Sequence, residues 1–234
     1  MEENFKIKST DKMAKLIGNS YSLLLVMDRF GIPLGFEEKS VREICEENEV
    51  DTNTFLAVAN FVCEGFSRID GKSACLSISS LVNYLRSSHR YFIDSLLPRI
   101  RTQLVEAIGD TKNRVASLII NLFDEYSEEI EKHMDFEDKT VFTYVDQLLD
   151  GSLKKGFTIS TYSMHHDLIS EKVAELKNVI LRFCPKEVNH SQLVTVLYDI
   201  YACELGLEEH CKIEDYLFTP AILNLERRLL GDEE

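Results

Sequence analysis

Glycine and proline are scarce in this chain of 234 residues, which contains 10 and 4 of them respectively. Valine, isoleucine and threonine do not alternate with polar residues over any long stretch, as they would in half-buried strands. Both observations favour helices over sheets. Because hydrophobic residues make up 44% of the chain, we expect an all-α protein with a substantial core.

Basic residues are also few compared with acidic ones. The chain has 26 Lys and Arg and 40 Asp and Glu, which gives a net charge of -14. Nucleic acids and anionic membranes attract clusters of basic residues, so we expect neither as a partner. No stretch approaches the roughly 20 apolar residues that a membrane helix needs. The first residues lack a basic segment followed by an apolar one and therefore do not predict a secretory signal.

The six cysteines form no C-x-x-C pair and no tight framework of spacings. In a chain of this size, such cysteines are typical of reduced thiols in the cytoplasm. We therefore expect a cytoplasmic protein.

A segment near residues 68–78 carries turn residues and has no helical periodicity. We therefore predict a small helical N-terminal domain over residues 1–70 and a second domain over residues 78–234. Three short helical patterns precede the break, and the first runs from Met13 to Leu25. In the second, Ser40 and Glu43 have the spacing of a capping box.

Four longer helical patterns follow the break, over residues 79–97, 110–149, 160–183 and 189–230. Long helices with short connections predict an antiparallel four-helix bundle. Pro98 interrupts the first pattern, where a short helix could continue to Ile108, and Pro220 could kink the fourth or separate two helices. Residues 135–138 could kink the second.

Histidines and glutamates recur at regular spacing in these patterns. The six residues are His89, His133, Glu137, His166, His210 and Glu214. His133 follows His89 by 44 residues and His210 follows His166 by the same number, and each later histidine opens a His-x-x-x-Glu sequence. Such spacing predicts a duplicated helical hairpin with metal-ligand residue types at matching heights.

These residues lie on the apolar stripes of their helices, as His89 does between Leu85 and Phe92. A buried glutamate is costly unless it is paired or binds a metal, and two that face each other are costlier still. The third helix offers both His165 and His166. We assign His166 inward, because the apolar stripe that it continues is more regular, and His165 to the edge of the site.

Four imidazoles and two carboxylates are too many ligands for one tetrahedral zinc. They suit two metal ions, each with two histidines and with both glutamates bridging. Calcium and magnesium prefer sites made only of oxygen, so iron is the best interpretation, with manganese, zinc or a mixed pair as alternatives. The remaining coordination positions could hold water, an oxo bridge, dioxygen or nitric oxide.

The order H…HxxxE…H…HxxxE over residues 79–225, with the Leu97–Ile100 stretch after the first histidine, resembles the hemerythrin-like domain. More specifically, it resembles the di-iron proteins that repair iron centres. The resemblance implies a non-haem di-iron site with four terminal histidines and two bridging glutamates. These would be His89, His133, His166 and His210, with Glu137 and Glu214 as the bridges.

Two departures from these families stand out. Oxygen-carrying hemerythrins have a second histidine on the third helix and a final aspartate, where this chain has Ser170 and Glu214, so the site is richer in carboxylate and favours redox-active iron. The N-terminal helices also resemble the short domain of the repair proteins. Their adjacent cysteine pair is replaced here by Pro33–Phe36.

The resemblance implies a protein that supports repair of iron–sulfur clusters damaged by oxidative or nitrosative stress. It would do so by donating iron or by reducing nitric oxide, and damaged iron–sulfur proteins would be its partners. The alternatives are a sensor that binds dioxygen or nitric oxide without catalysis, and a metal-free structural bundle. The sequence does not decide whether the protein is an enzyme or whether it forms a homodimer.

Overall fold

The computed structural model describes residues 6–64, 76–109, 112–152, 158–159 and 166–230, with only the backbone described for residues 64, 166–168 and 230. Within these ranges the chain forms α-helices and short π-helical segments, and it forms no β-strand. An antiparallel bridge joins Lys12 to Ser40. The prediction of an all-α protein is confirmed.

Four short helices form the N-terminal part, namely α1 (Met13–Asn19), α2 (Leu23–Arg29), α3 (Val41–Glu47) and α4 (Thr52–Glu64). The single helix predicted from Met13 to Leu25 is wrong. The backbone becomes extended at Ser20, and the side chain of Tyr21 is 82% exposed. The capping box predicted for α3 is confirmed, because the Ser40 hydroxyl accepts from the amide of Glu43 and the Ser40 amide donates to the Glu43 carboxylate.

Four long helical segments follow, two of which contain the predicted interruption at a proline. They are α5 (Ile78–Arg90), π1 (Tyr91–Leu96) and α6 (Leu97–Ile108); α7 (Arg114–Phe136), π2 (Glu137–Val141) and α8 (Phe142–Leu149); α9 (His166–Phe183); and α10 (His190–Ile213), π3 (Glu214–Phe218) and α11 (Thr219–Leu230). No helix in the described part of the chain is long and apolar enough to cross a membrane.

Each interrupting proline lies two residues after the end of a π-helical segment. Pro98 is the second residue of α6, after π1, and Pro220 is the second residue of α11, after π3. Proline is tolerated in the first turn of an α-helix, because its missing amide would have no partner within that helix. The first and fourth patterns therefore continue as helix beyond their prolines, and the interruption takes the form of a π-helical segment.

The chain divides into two compact units, of which the first comprises residues 1–88 and 209–234 and the second comprises residues 89–208. The predicted domain boundaries, 1–70 and 78–234, stay a prediction. In the first unit α2 and α3 both pack on α4. The ring of Phe30 lies 5.4 Å from Phe55 and 4.8 Å from Tyr84, so aromatic contacts connect the N-terminal helices to α5.

In the second unit α7 packs along α9, and α6 packs against α7. The buried face of α7 is apolar over most of its length, with Ile119, Phe123, Tyr126 and Ile130 all fully enclosed. Steps of three and four residues along this face produce the stripe that the sequence predicted. His133 continues the same stripe near the end of α7.

Candidate metal centre

His89 lies in the last turn of α5, where its side chain is 1% exposed. Its Nε2 atom is 3.2 Å from Oε2 of Glu137, and its Nδ1 atom is 3.1 Å from Oδ1 of Asp138. Burial by itself lowers the pKa of His89, but the hydrogen bonds to Asp138 and Glu137 outweigh burial, and the pKa is raised. The ring is also stacked on Phe142, with centroids 5.4 Å apart.

Glu137 is the first residue of π2 and is completely buried. Its second oxygen, Oε1, lies 3.3 Å from Nε2 of His133, whose side chain is 11% exposed. The two oxygens of this carboxylate therefore face two different imidazoles. A buried carboxylate in this position needs positive charge nearby, which either a protonated histidine or a metal ion would supply.

The second His-x-x-x-Glu sequence repeats this arrangement. Glu214 is the first residue of π3, and its Oε1 atom lies 3.1 Å from Nε2 of His210. Both side chains are buried, with exposures of 1% and 0%. In both repeats the glutamate begins the π-helical segment, four residues after its histidine. π-Helical turns of this kind are frequent at functional sites.

Within the described part of the chain, two groups of residues bring potential ligand atoms within 4.8 Å of one another. The first group is fully buried and contains His89, Glu137, His210 and Glu214, and the second contains His133, Cys211 and Glu214. Five of the six residues predicted as ligands belong to these groups. The side chain of His166, which begins α9, and the whole of His165 lie outside the described residues.

The chemistry of this donor set fits a metal cation. Imidazole nitrogen and carboxylate oxygen together suit iron, manganese and zinc better than calcium or magnesium. Asp138 can accept a proton from Nδ1 of His89. In a neutral ring with its proton there, the lone pair of Nε2, on the side of Glu137, would be available to a metal.

Two residues near these groups were not predicted from the sequence. Asp138 contacts His89, and Cys211 contributes to the second group. A signal for Asp138 was present, because each His-x-x-x-Glu is followed directly by an aspartate, Asp138 or Asp215. Cys211 gave no comparable signal, because it is next to His210 in sequence and therefore does not share its helical stripe.

Tyr126 and Cys203 each precede a histidine of these groups by seven residues, and they contact each other. The Tyr126 hydroxyl lies 3.7 Å from the Cys203 sulfur, and both residues are buried. Burial raises the pKa of the Cys203 thiol to about 11. A thiol with so high a pKa stays protonated and unreactive at neutral pH, which agrees with a packing role.

Residues 80–222 match the Hemerythrin HHE cation binding domain family. Because the match covers more than half of the chain, the chain belongs to this family. The prediction of a hemerythrin-like helical bundle is therefore confirmed, and the buried His and Glu residues support metal binding within it. Among curated proteins, no individual match to the chain was found.

Proposed function

We propose that this protein holds two iron ions and supports the repair of iron–sulfur clusters damaged by oxidative or nitrosative stress. The proposed ligands are the four histidines and two glutamates of the repeated pattern, His89, His133, Glu137, His166, His210 and Glu214. Glu137 and Glu214 would bridge the two ions. Manganese and zinc are the lesser alternatives.

One observation carries the proposal, namely that two buried carboxylates lie among imidazoles with their ligand atoms within 4.8 Å. Two buried negative charges at this separation repel each other strongly in a medium of low dielectric constant. A pair of divalent or trivalent cations would remove that repulsion, and two carboxylates can bridge two ions. A single tetrahedral ion would leave donors of this set unused.

The residues around the proposed ligands keep them in place and limit access by water. Asp138 would hold a metal-bound His89 in the tautomer protonated on Nδ1, and Phe142 packs on the face of its ring. Buried apolar side chains, Val141 and Phe218 among them, stand on the two π-helical segments that begin with Glu137 and Glu214. Iron held there would supply redox chemistry and coordination positions for small ligands.

The repair function rests on the overall resemblance to the repair proteins and on the carboxylate-rich donor set. Two routes are compatible with it. Iron could leave the site for a damaged cluster, or the site could remove nitric oxide by its reduction, in which two nitric oxide molecules, two electrons and two protons give nitrous oxide and water. The second route needs an external electron donor.

Iron content per chain, measured after anaerobic reconstitution with ferrous iron, tests the metal site. We expect about two irons in the wild type and a loss of most of this iron in His210→Ala. The matched control is His190→Ala, because His190 is an exposed histidine at the start of the same helix. Unchanged iron in His210→Ala would contradict the proposed ligand set.

A second experiment tests the repair function separately. An iron–sulfur dehydratase inactivated with nitric oxide is incubated with iron-loaded wild type or with His210→Ala, and recovered activity is compared. Recovery that a ferrous chelator abolishes indicates iron donation, whereas consumption of nitric oxide with a supplied reductant indicates reduction. Stoichiometric binding of nitric oxide with neither effect would contradict the repair function and favour the sensor.

A further inference from the structure

Helix α10 is apolar on two faces. One face is buried and includes Val196, Ile200, Cys203 and Leu207. The other face carries exposed apolar side chains in steps of four, three and four residues, at Val194, Tyr198, Tyr201 and Leu205. A surface helix normally places polar and charged residues on its outer face, so a helix that is apolar on both faces is typical of one covered on both sides.

The exposed face of α10 also lacks charge. Between Ser191 and Leu205 no exposed residue is charged, although 28% of the whole chain is charged. The two acidic residues in this span, Asp199 and Glu204, are half-buried and form ion pairs with Arg99 and Lys177 of the same chain. Depletion of charge together with enrichment in tyrosine is typical of the core of a protein–protein interface.

A cleft of mixed lining adjoins this face where α9 ends and α10 begins. Its volume is about 340 Å³, and it is lined by five apolar residues together with Arg182, Cys184 and His190. The apolar residues are Ile180, Leu181, Leu193, Val194 and Leu197. The end of α9 presents two exposed apolar side chains here, Leu181 of the lining at 62% exposure and Phe183 at 59%. Protruding side chains and a cleft that could receive such side chains thus lie next to each other.

We propose that this surface is the interface of a symmetric homodimer. The α10 face is defined here as Leu181, Phe183, Val194, Tyr198, Tyr201 and Leu205. A two-fold axis places the same surface on both sides of the interface, so exposed apolar side chains of each copy would enter the cleft of the other. The spacing of four, three and four residues averages about 3.7, close to the roughly 3.6 residues of an α-helical turn, so these side chains form one row along the helix.

The size of the α10 face agrees with this partner. Its six side chains expose on the order of 600 Å² in total, given roughly 150–250 Å² for each fully exposed aromatic residue. Together with the cleft this approaches the roughly 800 Å² that each partner buries in a standard interface. A partner recognised by its charge would need complementary charges on this face, whereas a face poor in charge limits the repulsion between two copies of a chain with net charge -14.

Sedimentation equilibrium of the full chain over a range of concentrations tests the proposal. We expect a species of twice the 26.9 kDa chain mass for the wild type and a monomer for the double variant Tyr198→Glu, Leu205→Glu. The matched control is Leu118→Glu, because Leu118 is an exposed leucine on α7, outside the α10 face, and this variant should stay dimeric. Helix content by circular dichroism should be the same in all three proteins.

Should the two glutamates unfold the chain, the milder pair Tyr198→Ser, Leu205→Ser provides the same test. The dimer dissociation constant should then rise by at least about tenfold, because residues in the centre of an interface carry most of its affinity. A wild type that is monomeric at every concentration would overturn the proposal, as would a dimer that both double variants leave intact. The test does not depend on iron, so it is independent of the proposed function.

Discussion

The Nδ1 atom of His89 lies 3.1 Å from a carboxylate oxygen of Asp138, the residue that directly follows Glu137 in the chain. Consecutive residues on π2 therefore contact opposite nitrogens of one imidazole, Asp138 at Nδ1 and Glu137 at Nε2. A carboxylate that accepts from the distal nitrogen fixes both the tautomer and the orientation of a metal-binding histidine.

Replacing Asp138 with asparagine should weaken metal binding by about 10–100-fold, which is the usual effect of losing a carboxylate partner of a ligand histidine. The asparagine amide can present its nitrogen to His89 and favour the wrong tautomer. Competition for iron with a chelator of known affinity measures the change. Asp135→Asn, which changes an exposed aspartate paired with Lys139 on the same helical segment, should bind iron like the wild type. Equal affinity in both variants would show that Asp138 does not position the ligand.

The glutamine variant of Glu137 tests whether this buried carboxylate binds metal. Metal at about 100 times its dissociation constant stabilises a fold by about 2.7 kcal/mol, which corresponds to roughly 5–10 °C in melting temperature for a chain of this size. We expect most of this metal-dependent increase to disappear in Glu137→Gln, because the amide retains the volume but lacks the charge.

Melting temperature with and without ferrous iron measures the effect of Glu137→Gln. The control is Glu128→Gln, which changes a glutamate that is 63% exposed and paired with Lys132 at the surface. That variant should keep the whole increase. If Glu137→Gln also kept it, Glu137 would not be a ligand.

Helical periodicity made the long helices and the stripe positions predictable. His89, His133 and His210 replace apolar residues at steps of three and four, and such steps place residues on one face whatever the details of packing. The four patterns after the break accordingly match the four long helical segments. The all-α class followed from the same periodicity, together with few glycines and prolines.

The π-helical segments could not be predicted in the same way. A π-turn changes the hydrogen bond from i→i+4 to i→i+5 without a sequence signature of its own, and packing around buried residues such as Glu137 and Glu214 decides where it occurs. The break at Ser20 was missed because the apolar residues on either side of it still follow helical spacing. Asp138 was missed because only residues on the apolar stripe were considered as part of the site. Asp138 lies beside that stripe, with its side chain 41% exposed.

Stability should fall between about pH 9 and pH 11, in part because of Cys203. In the unfolded chain a thiol titrates near its model value of 9.0, whereas burial raises the pKa of Cys203 in the folded protein to about 11. Between these values the unfolded chain has released the proton and the folded protein has retained it. The contribution of the neutral thiol is therefore complete below pH 9 and is lost as pH rises through this range.

A difference of two pKa units corresponds to about 2–3 kcal/mol at most. The free energy of unfolding from urea titrations, measured from pH 8 to pH 11 in wild type and Cys203→Ala, isolates this contribution. The variant should start less stable, because it loses packing and the contact with Tyr126, but it should lose less stability as pH rises. Parallel curves would show that the Cys203 thiol does not cause the loss.

The contact between Arg29 and Tyr84 connects α2 to α5 within the first unit. Arg29 is 3% exposed and donates from Nη1 to the Tyr84 hydroxyl at 3.3 Å, and its guanidinium lies 5.9 Å from the centre of the Tyr84 ring. Tyr84→Phe retains the ring and its packing against Phe30 but removes the acceptor of a buried charged donor. We expect a loss of about 1–3 kcal/mol in the free energy of unfolding, since hydrogen bonds to charged groups contribute that much.

Urea unfolding of Tyr84→Phe measures this loss. The matched control is Tyr21→Phe, because Tyr21 is 82% exposed and its substitution should leave the free energy of unfolding unchanged. The iron affinity of Tyr84→Phe is informative as well, because Tyr84 stands five residues before His89 on α5. We expect Tyr84→Phe to be less stable but to bind iron with unchanged affinity. Tyr84 and His89 are separated by more than one helical turn and lie on different faces of the helix. Equal stability of the two variants would mean that the Tyr84 hydroxyl does not hold α2 to α5.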